Sequence, residues 1–193
     1  AHWARAGDRF DHSAEIKNGV FHTKAARVDF GSLEAMDWTP RFQDQPELSN
    51  WAYDFASFSY APKLVHEHGA DGVRTVARLV QLLERKHPIG GGRLHFVWTP
   101  ISVALRIMGL ASAAAIVPRH ERGELDDEIN AIRAHIALCE RYLRVFAERY
   151  LGYNHAAFGL VALCVAHVAL RGRDGAKALA SEALASIEEQ VLD

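Results

Sequence analysis

The chain has 193 residues, 49% of them hydrophobic, which is enough apolar material for one sizeable core or two small ones. Its 22 basic and 24 acidic residues leave a net charge of -2. That balance gives no electrostatic reason to expect nucleic acid or an anionic membrane as a partner. Cys139 and Cys164 stand in separate apolar segments without CxxC spacing, so they build neither a zinc site nor a disulfide framework. Each reads as a small buried hydrophobe.

The chain opens at Ala1 without a basic stretch followed by an apolar one, so a processed or trimmed start is expected. Residues 1–45 read as an irregular segment. EIKNGVFHTKAARVDFG sets the turn pair Asn18-Gly19 beside short β-tolerant pieces, and DWTPRFQDQP is loop-like with two prolines. Residues 46–193 read as helical. A helix is expected from near Pro46, kinked or split at Pro62 and ended by Gly69. DGVRTVARLVQLLERKHP follows with Val73, Val76, Val80 and Leu83 at helical spacing, Asp71 at its start, and Lys86 and His87 before Pro88.

HPIGGGRLHF is glycine-rich but lacks the Lys-Ser/Thr of a phosphate-binding loop, so it reads as a connection. Thr99 is a candidate N-cap and Pro100 the first residue of the next helix. Its apolar run, ISVALRIMGLASAAAIV, carries Arg106 and is short for a bilayer span. From Glu124 to about Tyr150, Leu125, Ile129, Ile132, Ile136, Cys139, Leu143, Phe146 and Tyr150 form one stripe. Asp126, Arg133, Glu140, Arg141, Arg144 and Glu148 fall largely outside it, which predicts an outer helix. AAFGLVALCVAHVAL is apolar on nearly every face and should be surrounded by helices. GAKALASEALASIEEQVL is amphipathic again, with Leu179, Ala183, Ile187 and Val191 in register. The alternation predicts an all-α fold of antiparallel helical hairpins in two layers, as an incomplete (α/α) toroid or an open solenoid. A repeat around Trp51 and Trp98 is a weak hint of the same kind.

Several clusters invite a chemical reading and have a plainer one. His66 and His68 lie two apart on a helix and point to different sides, so they do not form a metal pair. Asp126, Asp127 and Glu128 lack the DDxxD spacing of helical cyclases and suit the first turn of a helix. His167, inside the apolar helix, reads as a satisfied core histidine. Arg106 needs a carboxylate, backbone carbonyls or an anionic ligand, and structural pairing is favoured. Asn154 is a good N-cap for the helix that follows. Tyr153 and His155 flank it where a helix start can present donors to an anion.

DWTP (Asp37–Pro40), WAYDF (Trp51–Phe55), WTPISVALR (Trp98–Arg106), GYNHAAFGL (Gly152–Leu160) and SIEEQVLD (Ser186–Asp193) stand in an order that resembles the N-terminal helical domain of heparinase II/III-type polysaccharide lyases. The resemblance runs from about Phe21 to Asp193. It implies an incomplete helical toroid followed by a β-sandwich, acting by β-elimination on uronate-containing polysaccharides. Abstraction of the C5 proton builds negative charge on the neighbouring carboxylate, which donors must grip before a base acts. By the resemblance Asn154 and His155 are those catalytic positions, with Tyr153, Trp98 and Arg106 as candidate substrate contacts.

Relatives often carry an acidic residue shortly after Asn-His, where this chain has Ala156, Ala157, Phe158 and Gly159. They also continue past the equivalent of QVLD into the rest of the site. The chain is therefore expected to be a fragment without turnover by itself. Its expected partners are an acidic polysaccharide or oligosaccharide and the C-terminal remainder of the same protein, with no nucleic acid and no membrane. No metal and no cofactor is expected, and the location is expected to be periplasmic or secreted, with the cytoplasm as the alternative. The competing reading is a helical-repeat scaffold that binds a protein and has no saccharide site. A glycoside hydrolase would need two carboxylates across a cleft, and Asp37, Asp44 and Asp54 read better as surface or capping residues.

Overall fold

A computed structural model describes residues 13–22, 27–38, 55–89, 96–118, 121–147, 157–171 and Ser181. The described residues are mainly helical. In chain order they form α1 (Ser13–Ile16), β1 (Val20–His22), β2 (Arg27–Asp29) and α2 (Ala61–Lys86). A 3-10 turn (Phe96–Trp98), α3 (Pro100–Ile116), a second 3-10 turn (Arg122–Leu125) and α4 (Asp126–Ala147) follow. Residues 157–171 are the described part of a further helix, α5. The all-α class therefore holds, with one small hairpin added.

That hairpin comes from the segment expected to be irregular. β1 and β2 pair antiparallel, with Val20 opposite Asp29, Phe21 opposite Val28 and His22 opposite Arg27. Phe21 turns inward, and its ring meets Phe55 edge-on at 4.3 Å between centroids. Trp38 stacks on Phe58 at 5.6 Å, and Phe55 and Phe58 each stack on Tyr60. Ile16, Phe21, Met36 and Trp38 thus belong to the same core as the helices. Polar ties hold the segment from outside. Lys86 Nζ donates to the carbonyls of Glu34 (2.7 Å) and Met36 (2.6 Å), and Arg78 grips the Glu34 carboxylate at 2.8 Å.

α2 begins at Ala61, beside the split expected at Pro62, and the helix start expected near Pro46 is not among the described residues. Residues 46–54 lie outside the described residues, Phe55–Tyr60 form a short helical turn and a bend, and Pro62 sits in the first turn of α2, where its missing N–H costs nothing. At Gly69, where a helix end was expected, the backbone leaves helical geometry and two helical stretches meet across a kink: its φ of 53° and ψ of -128° are open to glycine and strained for any other residue. Beyond the kink the helix runs to Lys86, and His87 closes it by donating its N–H to the Leu83 carbonyl at 2.8 Å.

α3 begins as expected, with Thr99 in extended conformation and Pro100 in the first turn, but the Thr99 hydroxyl bonds Ser102 Oγ at 2.9 Å rather than a backbone N–H. Gly109 allows α3 to cross the bend before α2, because a Cβ there would lie 2.5 Å from the Phe58 carbonyl oxygen. α2, α3 and α4 each pack on the other two. Leu125 of the second 3-10 turn and Ile132, Ile136, Cys139 and Leu143 of α4 are buried, as their stripe predicts, while Asp126, Asp127 and Glu128 occupy the first turn of α4. Glu140, expected outside the stripe, is buried instead, because α5 covers that flank of α4.

α5 is less enclosed than its composition requires. Ala162, Leu163 and Ala166 are buried, but Phe158, Val161 and Val168 keep 42%, 53% and 48% of their surface. Cys164, expected in the core, is only half-buried. Among the described residues no helix is long and apolar enough to cross a membrane.

Candidate functional site

Tyr153, Asn154 and His155, which carry the sequence-based site, lie outside the described residues, as do Asp44, Asp54 and Trp51. The described part of α5 begins at residue 157. Trp98 and Arg106 are described, and both turn inward, being 5% and 0% exposed. Neither offers a surface to a ligand in this arrangement.

What the structure builds around them is a closed polar cluster between α2, α3 and α4. Arg106 Nε donates to the Ala56 carbonyl at 2.7 Å, and Nη2 donates to the Val97 carbonyl at 2.5 Å. Its guanidinium lies over the Trp98 ring at 5.0 Å from the centroid and 6.0 Å from that of Phe58. Of the partners the sequence allowed, backbone carbonyls were chosen. Trp98 is anchored at both ends: its indole Nε1 donates to the His87 carbonyl at 2.7 Å, and its carbonyl accepts from the Tyr142 hydroxyl.

His135 and Cys139 complete the cluster from α4. The His135 ring packs against Trp98, 6.1 Å between centroids, and its Nδ1 bonds Glu84 Oε1 at 2.7 Å. Burial disfavours the charged imidazole, yet the Cys139 thiol and Glu84 raise its pKa above the ordinary histidine value. Burial likewise pushes the Cys139 thiol up, but the nearby charges of His135 and Arg106 hold it below the usual thiol value. Burial also lowers the Arg106 pKa, against the pull of Cys139, Tyr60 and Tyr142. The hydrogen bond from His135 holds the Glu84 carboxyl below the usual range. Sequence reasoning missed His135 and Glu84. The signal was available: His135 stands three residues after Ile132 and four before Cys139, on the buried stripe.

A second cluster joins α4 to α5. Glu140 Oε1 is 3.1 Å from Arg144, 3.3 Å from His167 and 3.5 Å from Arg171. His167 is thus the satisfied buried histidine that its position predicts. Arg133 also ties α4 to α5, donating to the carbonyls of Ala169 (3.3 Å) and Leu170 (3.4 Å). The remaining predicted clusters resolve as plain structure: Ser13 Oγ donates to Glu67 and lies 2.8 Å from His68 Nε2, tying α1 to α2 near the Gly69 kink.

Two open clefts flank the helices. One, of about 270 Å³, lies at the kink and includes Val65, His66, Gly69 and Glu121. The other, of about 350 Å³, is an apolar groove between α3 and α5, with Ala111, Ala115, Cys164 and Val168 among its walls. Among the described residues no group of three or more His, Cys, Asp or Glu could hold a metal ion. No family of known proteins, no curated protein and no solved structure matches this chain.

Proposed function

We propose that the chain is the helical part of a lyase that cleaves uronate-containing polysaccharide by β-elimination, arranged as an incomplete (α/α) toroid. One observation carries the reading. In sequence, Gly152-Tyr153-Asn154-His155 stands just before the apolar run of α5, where a helix start would offer donors to an anion. In this reading Asn154 and His155 grip the substrate carboxylate and stabilise the charge that develops on it. Tyr153 lies beside them. The base and acid come from the rest of the protein, so this chain binds an acidic saccharide without turning it over.

The internal fixing of Trp98 and Arg106 gives these two residues a different part: they brace the helices and leave carboxylate binding to Asn154 and His155. Calorimetric titration of the chain with uronate oligosaccharides, beside neutral ones of equal length, tests the reading. Binding of the acidic set alone is expected, with a loss of tenfold or more, about 1.4 kcal/mol, in Asn154→Ala and His155→Ala. Unchanged affinity in two variants that remain folded would sink it.

A second reading has an observation of its own. Phe158, Val161 and Val168 leave one side of α5 apolar and open, beside the groove against α3. Such a face suits a helical-repeat scaffold that binds a protein partner. That reading is favoured if no acidic saccharide binds.

A further inference from the structure

The seam between α4 and α5 holds more positive charge than its own acid balances. Glu140 is 3% exposed, and one atom of it, Oε1, lies 3.1 Å from Arg144, 3.3 Å from His167 and 3.5 Å from Arg171. One carboxylate neutralises one guanidinium, so the charge of the second is left over. The two arginines converge on the same oxygen and are therefore neighbours, yet their side chains stay 43% and 55% exposed. Arg171 Nη1 also lies 2.8 Å from His167 Nε2, which fixes its position further.

Arg133 adds a third guanidinium. It stands two turns before Glu140 on the same face of α4 and reaches the carbonyls of Ala169 and Leu170, just before Arg171. Those carbonyls carry no charge. Among the described residues Arg133 pairs with no acid, and Arg144 and Arg171 pair with none but Glu140. Arg144 spends Nε and Nη2 on Glu140, and Arg171 spends Nη1 on Glu140 and His167. Arg144 Nη1 and Arg171 Nε and Nη2 are left to face a ligand.

We propose that Arg144 and Arg171, positioned by the buried carboxylate of Glu140 and flanked by Arg133, form a binding site for an oxyanion group (sulfate, phosphate or carboxylate) on the α4–α5 seam.

The chemistry of the donors narrows the ligand. A planar guanidinium offers parallel N–H groups that match the oxygens of these anions, whereas a metal cation is repelled and a neutral sugar brings no charge to balance. Holding two half-exposed forks on one buried acid orders them before the ligand arrives, which lowers the entropy lost on binding. The site does not rest on the lyase reading. Arg171 ends the described part of α5, residues 157–171, which puts about 20 Å of helix between it and the end that follows Asn154 and His155 in sequence. The oxyanion is either a free ion or a group carried on an acidic saccharide.

The test is a titration of the ¹⁵N-labelled chain with sodium sulfate, sodium chloride holding the ionic strength constant, read on the arginine Nε–Hε resonances. Arg144 and Arg171 are expected to shift together along one saturating curve, with a dissociation constant on the order of millimolar. Arg171→Gln and, separately, Arg144→Gln should weaken binding about fivefold or more while the chain stays folded. Arg171→Lys keeps the charge but loses the fork, and should weaken it about threefold. Arg74→Gln, which removes the same charge from α2, should leave the curve in place. In a second arm, uronate and sulfated oligosaccharides are added beside a neutral one of equal length. Displacement of sulfate by the acidic ones identifies a saccharide-borne group, and sulfate binding without displacement identifies a free ion. The probe is the ion itself and the variants leave residues 152–155 untouched, so the lyase reading can fail while this one holds. A shift that does not saturate, or that chloride reproduces, would overturn the proposal. So would a curve unchanged in Arg171→Gln and Arg144→Gln, full affinity in Arg171→Lys, or an equal loss in Arg74→Gln.

Discussion

The two flanks of α4 use charge in opposite ways. On the side facing α2 and α3, Arg106, His135 and Cys139 are sealed from solvent, and the arginine is held by carbonyl oxygens and aromatic rings. On the side facing α5, the buried carboxylate of Glu140 draws in Arg144 and Arg171, whose side chains stay 43% and 55% exposed. In the first case the backbone has been shaped around a charge, so the charge cannot leave without stranding its acceptors. In the second the partners can return to water. The same residue types therefore differ in what they contribute, and substitution separates them.

The largest effect is expected at Arg106. Arg106→Ala strands two buried carbonyl oxygens, those of Ala56 and Val97, and opens a cavity under Trp98. Unsatisfied buried acceptors and lost packing together point to a loss of about 4 kcal/mol in urea unfolding. Arg106→Met fills the space and removes the buried charge, so it should cost about half as much. A cost below about 1 kcal/mol for the alanine variant would show that the carbonyl contacts do not hold the α3 turn in place.

A smaller effect belongs to the other flank. Glu140→Gln keeps the shape and removes the charge shared by Arg144, His167 and Arg171. With the arginines half in water, the expected loss is about 1 to 2 kcal/mol, shrinking in high salt as the wild-type interaction is screened. Equal losses at low and high salt would place Glu140 with the sealed cluster instead.

The sequence made these flanks legible to different degrees. The α4 stripe, the start of α3 at Thr99-Pro100 and the acidic first turn of α4 follow from spacing and capping chemistry, which are local. The hairpin after Asn18-Gly19 was only half legible, because a turn signal does not say which strand the chain will pair with. Gly69 reads as a stop and does interrupt the helical backbone, but spacing does not say that a second helical stretch, packed through Val73, Val76 and Leu83, resumes at once beyond it. The polar clusters were least legible. Glu140 looks like a surface residue until α5 lies over it, and His135 and Glu84 meet across 51 residues of chain. Arg106 announced that it needed a partner, but not that two carbonyls would serve. The residues proposed to grip a substrate, Asn154 and His155, are read from sequence order alone.

The sharpest contrast within a single helix is on α5, between neighbours that face opposite ways. Val161 is half exposed beside the groove, whereas Leu163 is 7% exposed and packs into the core. Leu163→Ala removes buried methyl groups and should cost about 2 to 3 kcal/mol. Val161→Ser removes apolar surface that water already reaches, so the isolated chain should stay within about 0.5 kcal/mol of wild type. In the scaffold reading the same serine substitution weakens partner binding, because it interrupts the apolar face formed by Phe158, Val161 and Val168. In the lyase reading it leaves acidic-saccharide affinity unchanged, since its hydroxyl would lie on the face that contacts no carboxylate. Urea unfolding and saccharide titration of this one variant therefore measure how far α5 acts as a buried inner helix and how far as a surface.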